Sequence, residues 1–260
     1  MSKDQPETIT WIGHATVLVE LSGVRLLTDP ALTLRLAHLR RHHPVDLDAV
    51  GIPDAVLISH VHADHLHLPS LRLLGRDVTL VVPTGAGKFV RRHGFHNVRE
   101  VAPGDTAQIG AVTVSAVPAV HDARRGLHSR VMATPVGYVA RGRHAVYFAG
   151  DTDLFPGMAD IRADVALLPI WGWGRTLGPG HLDPVSAVRA MELLRPRIVV
   201  PIHWGTFSPV SVRREPSWLR RPMQRFEAEL AAAGAAARVR ALNPGDSLVL
   251  EPDQIRTSAS

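Results

Sequence analysis

Ser59-His60-Val61-His62-Ala63-Asp64-His65 closes the apolar run that begins at Ala55, and this junction decides how the chain is read. An unbroken apolar run of that length, without polar alternation, is what a strand covered on both faces requires. At its extended end His60 and His62 point the same way, because strand side chains alternate with period two. Leu68 to Leu74, with Pro69 in its first turn, predicts a helix just beyond. Once the chain turns toward that helix, Asp64 and His65 face a neighbouring point. Three imidazoles and a carboxylate so arranged suit two adjacent ions rather than one.

Four ligands in one loop cannot close two coordination shells, so others must come from other strand ends. His121 follows Val114 to Val120, Asp151 follows Ala145 to Gly150, and His203 follows Ile198 to Ile202. Each lies at the C-terminal end of an apolar run.

Working outward, Thr8 to Leu21 and Val24 to Thr28 read as a hairpin through Ser22-Gly23. Further strand-like runs are Leu80 to Pro83, Val98 to Val101, Ala107 to Ile109, Val112 to Pro118, Val136 to Ala140, Val165 to Pro169 and Ser247 to Glu251. Asp183-Pro184 opens a helix with Val185, Val188, Met191 and Leu194 on one face, ended at Pro196. Pro222 opens another through Phe226 and Leu230, stopped by Gly234. Gly85-Ala86-Gly87-Lys88 lacks phosphate-loop spacing and reads as a helix start. Val17 to Pro30 and Val136 to Thr152 echo each other as strand, Gly turn, strand and aspartate. Two such halves predict an α/β four-layer αββα sandwich, two mixed sheets with helices outside. No linker divides the chain, so residues 1–260 are read as one hydrolase domain with an ordered core at 7–252.

Cysteine is absent, which excludes disulfides, thiolate zinc sites and cysteine nucleophiles; a metal must be held by histidine and carboxylate. Ser59 has no triad partners beyond the histidines of the cluster, which argues against serine catalysis. The polar N-terminus lacks a signal-peptide pattern and no apolar stretch spans a bilayer, so a cytoplasmic enzyme is expected. A net charge of +5 raises nucleic acid as a partner. Its patches, Arg35 to His43 and Arg213 to Arg225, hold a single aromatic, Trp218, rather than an interleaved series, so a small anionic substrate is favoured and nucleic acid is the lesser reading. A homo-oligomer is compatible with the chain.

The whole pattern resembles the metallo-β-lactamase superfamily, in the branch similar to N-acyl-phosphatidylethanolamine phospholipase D and the ascorbate-phosphate lactonases. Trp11-Ile12-Gly13-His14-Ala15-Thr16, Thr28-Asp29-Pro30, Phe148-Ala149-Gly150-Asp151-Thr152, Gly180-His181-Leu182-Asp183-Pro184 and Pro201-Ile202-His203-Trp204-Gly205-Thr206-Phe207 carry the resemblance beside the cluster. It implies that His60, His62 and His121 bind a first metal and Asp64, His65 and His203 a second, with Asp151 bridging. Asp29 is implied as support behind the metal loop. Two departures, Asp122 after His121 and no tryptophan in Thr134-Pro135-Val136-Gly137, point away from a long-chain lipid substrate.

The expected chemistry is a hydroxide held between two divalent ions about 3.5–4 Å apart, attacking an ester, lactone or phosphodiester of a small anionic or lipid-like metabolite. Zinc is the first expectation, with manganese or iron also suited to these donors. Asp64 is expected to orient the nucleophile and His181 to supply a proton or hold a substrate anion. His14 either touches substrate or caps a strand; His67 reads as surface or as support for the cluster. His42, His43, His93, His96, His128 and His144 read as ordinary polar positions. Leu34 to Pro44 reads as either an anion-selecting entrance loop through Arg40 and Arg41 or a solvated connection. The alternatives are a metal-dependent nuclease and a non-catalytic metal-stabilised binding module. His62 stands where diiron members place an acid, which argues against a redox role.

Overall fold

A computed structural model describes residues 6–126, 129–172 and 179–251. Its strands are β1 (Glu7–Gly13), β2 (Thr16–Leu21), β3 (Val24–Thr28), β4 (Arg35–Leu36), β5 (Leu39–Arg41), β6 (Ala55–Leu57), β7 (Leu80–Pro83) and β8 (Val98–Val101). They continue with β9 (Thr106–Ile109), β10 (Val112–Pro118), β11 (Val136–Arg141), β12 (Ala145–Phe148), β13 (Val165–Pro169), β14 (Ile198–Ile202), β15 (Phe207–Pro209) and β16 (Ser247–Leu250). The helices are α1 (Leu47–Val50), α2 (Leu68–Leu73), α3 (Gly87–Arg92), α4 (Pro184–Leu194) and α5 (Arg221–Ala232).

One sheet runs β16-β1-β2-β3-β6-β7-β8 and the other β14-β13-β12-β11-β10-β9. Both are mixed in the same way. In the first, β1, β2 and β3 are antiparallel neighbours and β3, β6, β7 and β8 are parallel. In the second, β9 to β12 are antiparallel and β12, β13 and β14 parallel. The echo in the sequence marks this switch: β2-β3 ends in Asp29, and β11-β12 ends in Asp151.

The layers follow from burial. Ile9, Trp11, Val17, Leu57, Val114, Tyr138, Phe148 and Val200 share one core between the sheets. Leu168, Ala187, Met191, Phe226 and Leu230 cover the second sheet with α4 and α5, and Leu27, Ile58, Leu71 and Val90 cover the first with α2 and α3. Each such aliphatic side chain contributes about 1.5–3 kcal/mol when fully buried. The fold is therefore the αββα sandwich, and the strands buried along their whole length, β6, β7, β12, β13 and β14, read as continuous apolar runs. α4 starts where expected: Asp183 caps it reciprocally with Ser186, and Arg195 ends it in a left-handed conformation before Pro196. No helix of the described residues is long and apolar enough to cross a membrane.

Three expectations need correction. Thr8 to Leu21 is two antiparallel strands, because Gly13 (φ 121°) and His14 (φ 56°) reverse the chain. Leu34 to Pro44 is not an open connection: β4 and β5 form a hairpin that joins β15 in a small third sheet. There Arg41 is buried, donating to the carbonyls of Ile12 (3.0 Å) and Ala31 (2.6 Å) with its guanidinium over Phe207. Burial lowers its pKa to about 10, which leaves it charged, but it faces main-chain oxygens rather than an entering anion.

His144 is likewise no ordinary polar position. It is buried and its Nδ1 pairs with the buried carboxylate of Glu7, which also accepts from the main-chain N–H groups of Ser22 (2.8 Å), Arg143 (3.1 Å) and His144 (3.0 Å). This carboxylate joins the turns of the two echoed hairpins. Burial alone would raise the Glu7 pKa; hydrogen bonds from His144, Arg143 and Ser22 outweigh it and hold the group below the ordinary 4.5. Glu7→Gln is expected to cost about 1–3 kcal/mol near neutral pH. A lowered carboxyl pKa stabilises above the unfolded value and ceases to do so as pH falls through the folded one. The deficit measured by chemical denaturation should therefore shrink at about pH 4 and below. A deficit that stays constant across that range would contradict the assignment.

His128 lies outside the described residues.

Candidate metal centre

All seven predicted donors meet at one end of the sandwich, carried by segments that follow β6, β10, β12 and β14. His60 Nε2 and His121 Nε2 each lie 3.0 Å from His62 Nδ1. Beside them, His65 Nε2 lies 3.2 Å from His203 Nε2 and 3.4 Å from Asp64 Oδ2. Asp151 stands between the two groups. Its Oδ2 is 3.2 Å from His65 Nε2 and its Oδ1 3.3 Å from His203 Nε2, while donor atoms of His121, Asp151 and His181 lie within 4.8 Å of one another.

Proton accounting shows what these groups can hold. The Ser59 hydroxyl gives its single hydrogen to Asp29 Oδ2 (2.5 Å), so toward His60 Nδ1 (2.9 Å) it accepts. His60 therefore carries its proton on Nδ1 and presents a lone pair at Nε2. His121 Nδ1 donates to the carbonyl of Gly180 (2.7 Å), which likewise leaves Nε2 bare. Two bare nitrogens cannot both be satisfied by the one proton His62 Nδ1 carries at most. Donors sharing a tetrahedral cation at about 2.0–2.1 Å sit about 3.3 Å apart, close to what is seen here. In the second group His65 Nδ1 is committed to Asp29 Oδ2 (2.7 Å), which turns its Nε2 inward. Asp151 Oδ1 is buried and accepts no hydrogen bond among the described residues. These residues fit two cations.

The electrostatics agree. Burial disfavours the imidazolium at His60, His62 and His203, and lowers His121 to about 4, so these are neutral donors. His65 goes the other way: burial opposes its charge, but Asp151, Asp64 and Asp29 outweigh it and raise the pKa well above 6.5. Asp64 and Asp151 are held well below the carboxylate range, against the cost of burial, by neighbouring histidines. The carboxylates of Asp29, Asp64 and Asp151 thus draw positive charge toward His65.

A ring of supporting contacts sets these positions. Asp29 is fully buried and accepts from Ser59 N (2.7 Å), the Ser59 hydroxyl and His65, the role expected of it. Gly150 (φ 61°) precedes Asp151, and a Cβ there would stand 2.5 Å from Ser59 Cβ, so only glycine lets the two loops close. His67 precedes α2 and is buried, its Nδ1 2.8 Å from the Ser70 hydroxyl in the first turn of that helix. His181 stands at the rim, its Nε2 3.6 Å from Asp151 Oδ2 and its side chain 24% exposed.

Arg125 escaped the sequence reading. Its Nη1 donates to the carbonyls of Val61 (2.7 Å) and Leu66 (3.1 Å), and its guanidinium lies over Phe89, so it braces both ends of the His-rich loop. Nothing in the sequence around it signals this, since its partners are main-chain atoms. Arg125→Ala is expected to cost about 2 kcal/mol and weaken metal affinity about tenfold. Competition against a chromophoric chelator checks this; unchanged affinity would show that the loop holds itself.

A family described as Beta-lactamase superfamily domain matches residues 24–204, which span the His-rich loop, Asp151 and His203. The chain belongs to the metallo-β-lactamase superfamily. Within that superfamily it is 35% identical over 247 residues to a UPF0173 metal-dependent hydrolase of Methanopyrus kandleri, covering 92% of this chain and 98% of the relative. It is 30% identical over 230 residues to N-acyl-phosphatidylethanolamine-hydrolyzing phospholipase D 1 of Caenorhabditis elegans, covering 76% of this chain and 64% of that longer protein. Among solved structures, the metallo hydrolase Igni18 of Ignicoccus hospitalis superposes with a TM-score of 0.72 at 28% identity, over 95% of this chain and 99% of that one. A metal-dependent hydrolase of the metallo-β-lactamase fold is therefore what this sandwich builds.

Proposed function

We propose that the chain is a dinuclear hydrolase that cleaves an ester, lactone or phosphodiester bond in a small anionic metabolite. The observation that carries this reading is the pair of donor groups on either side of Asp151: in the first the inward nitrogens of His60 and His121 carry no proton, and in the second the carboxylates of Asp64 and Asp151 converge on His65 and His203. His60, His62 and His121 would hold one cation, Asp64, His65 and His203 the other, and Asp151 both. When bound, such a pair supplies Lewis acidity and brings the pKa of water to about 7. Zinc suits the nitrogen-rich first group best, and manganese or iron suits the mixed second group as well.

The remaining steps belong to the protein. Asp64, a carboxylate kept ionised by its histidine neighbours, accepts a hydrogen bond from the attacking water and aims it. His181, partly exposed beside Asp151, is placed to hold a substrate anion or deliver a proton to the leaving oxygen. His121 is fixed by the Gly180 carbonyl next to His181, so the rim of the site and one donor move together. A Caenorhabditis elegans relative acts on a phospholipid, which supports a phosphodiester among the candidate bonds.

Purified protein should be screened against phosphodiesters, lactones, thioesters and single-stranded RNA, before and after chelation and with zinc or manganese restored. Hydrolysis of one small-molecule class, lost on chelation and regained with metal, is the expected result. Activity confined to RNA would replace the substrate assignment. Activity indifferent to chelation would overturn the metal-dependent reading.

A further inference from the structure

His14 is absent from the donor set just described, yet it is buried and its Nε2 lies 3.1 Å from Asp64 Oδ2. We infer that His14 is a positioning residue: by donating to Asp64 it aims that carboxylate at the second cation position and sets how tightly that position is filled. This rests on the two-cation reading above.

Four observations carry it. First, the backbone of His14 is left-handed (φ 56°), a conformation unfavourable for a non-glycine residue that persists only where its surroundings enforce it. Second, those surroundings are the loop of His203. His14 N donates to the Thr206 hydroxyl (2.7 Å), and His14 O accepts from His203 N (2.9 Å) and from Trp11 Nε1 (2.9 Å). His203 is itself left-handed (φ 64°), and the two imidazole centroids lie 4.0 Å apart. Two strained histidines, nearly 190 residues apart in the chain, thus brace each other at one point. Third, the approach is tight. A Cβ on Gly13 would stand 2.8 Å from Arg41 Nη1 and 3.1 Å from the Thr206 side chain, so the buried Arg41 and Thr206 close this turn from behind. Fourth, donor atoms of His14, Asp64, His65 and His203 all lie within 4.8 Å of one another.

A residue that merely ended a strand would not need its ring in that group. A substrate-binding residue would need exposure, and His14 is 2% exposed. Asp64 is less enclosed, with 16% of its side chain exposed, and His14 is packed directly against it. A carboxylate ligand is fixed by the hydrogen bonds it accepts, and removing such a partner costs about 10–100-fold in metal affinity.

The test compares His14→Phe, which keeps ring volume and removes the donor, with His14→Gln, whose amide nitrogen reaches the same place. Zinc binding is measured by calorimetry on metal-free full-length protein, with thermal melting as the control for folding. Wild type is expected to bind two equivalents. His14→Phe should retain one at wild-type affinity and bind the second about 10–100-fold more weakly, and His14→Gln should recover most of that loss. Cobalt substitution gives a second readout, with altered visible bands from one of two sites. Two wild-type affinities in His14→Phe would overturn the inference, as would equal loss in the Phe and Gln variants. Fewer than two equivalents in wild type would instead overturn the two-cation reading itself.

Discussion

Asp151→Asn is expected to empty both cation positions together and to lower kcat by at least about a thousandfold. The carboxylate spans the two groups, with one oxygen 3.2 Å from His65 and the other 3.3 Å from His203. Asparagine keeps the volume but removes the charge and replaces one oxygen with an N–H donor, so neither a cation nor the charged His65 keeps its counter-charge. Lewis-acid stabilisation in such centres supplies several kcal/mol, and about 4 kcal/mol corresponds to three orders of magnitude in rate. Elemental analysis of the dialysed variant beside steady-state kinetics reads both effects. A variant that lost its metal and kept every activity would favour a binding module whose ions serve stability alone.

The second large effect is at Asp29, which touches no substrate. Asp29→Ala removes the acceptor for Ser59 N, the Ser59 hydroxyl and His65 Nδ1 at once, in a site with no exposure. The buried Ser59 N–H is left without its acceptor, and His65 is free to carry its proton on the inward nitrogen. Breaking a buried pair of this kind costs about 3–5 kcal/mol. For a chain of this size that corresponds to a fall in Tm on the order of 10 °C. Metal affinity should fall about 10–100-fold as well. Melting curves with and without zinc separate the two, because ligand-linked stabilisation should be smaller in the variant at equal zinc. A melting point within about 2 °C of wild type would show that the hydrogen bonds around Asp29 are replaced by others.

Why some of this was legible beforehand is a question of locality. The His-rich loop could be read because strand alternation and a following Pro-containing helix act over a few residues. The ends of β10, β12 and β14 could be read because apolar runs stop where the interior stops. The echo of β2-β3 in β11-β12 marked two of the aspartates that the site uses, Asp29 and Asp151. What escaped depends on distant partners. His14 interrupts an otherwise continuous β pattern, and Thr206 and His203 from the far end of the chain help hold it in its left-handed turn. Arg41 reads as a solvated charge until the carbonyls of Ile12 and Ala31 are seen around it. His144 reads as polar surface until Glu7, more than a hundred residues earlier, closes on it. Charged and strained residues carry no local mark of what will neutralise or restrain them.

Anomalous diffraction from crystals of the zinc-loaded protein is the most direct measurement. Two peaks are expected, one among His60, His62 and His121, the other among Asp64, His65 and His203, with Asp151 reaching both. A single peak, or two that leave Asp151 untouched, would contradict the account.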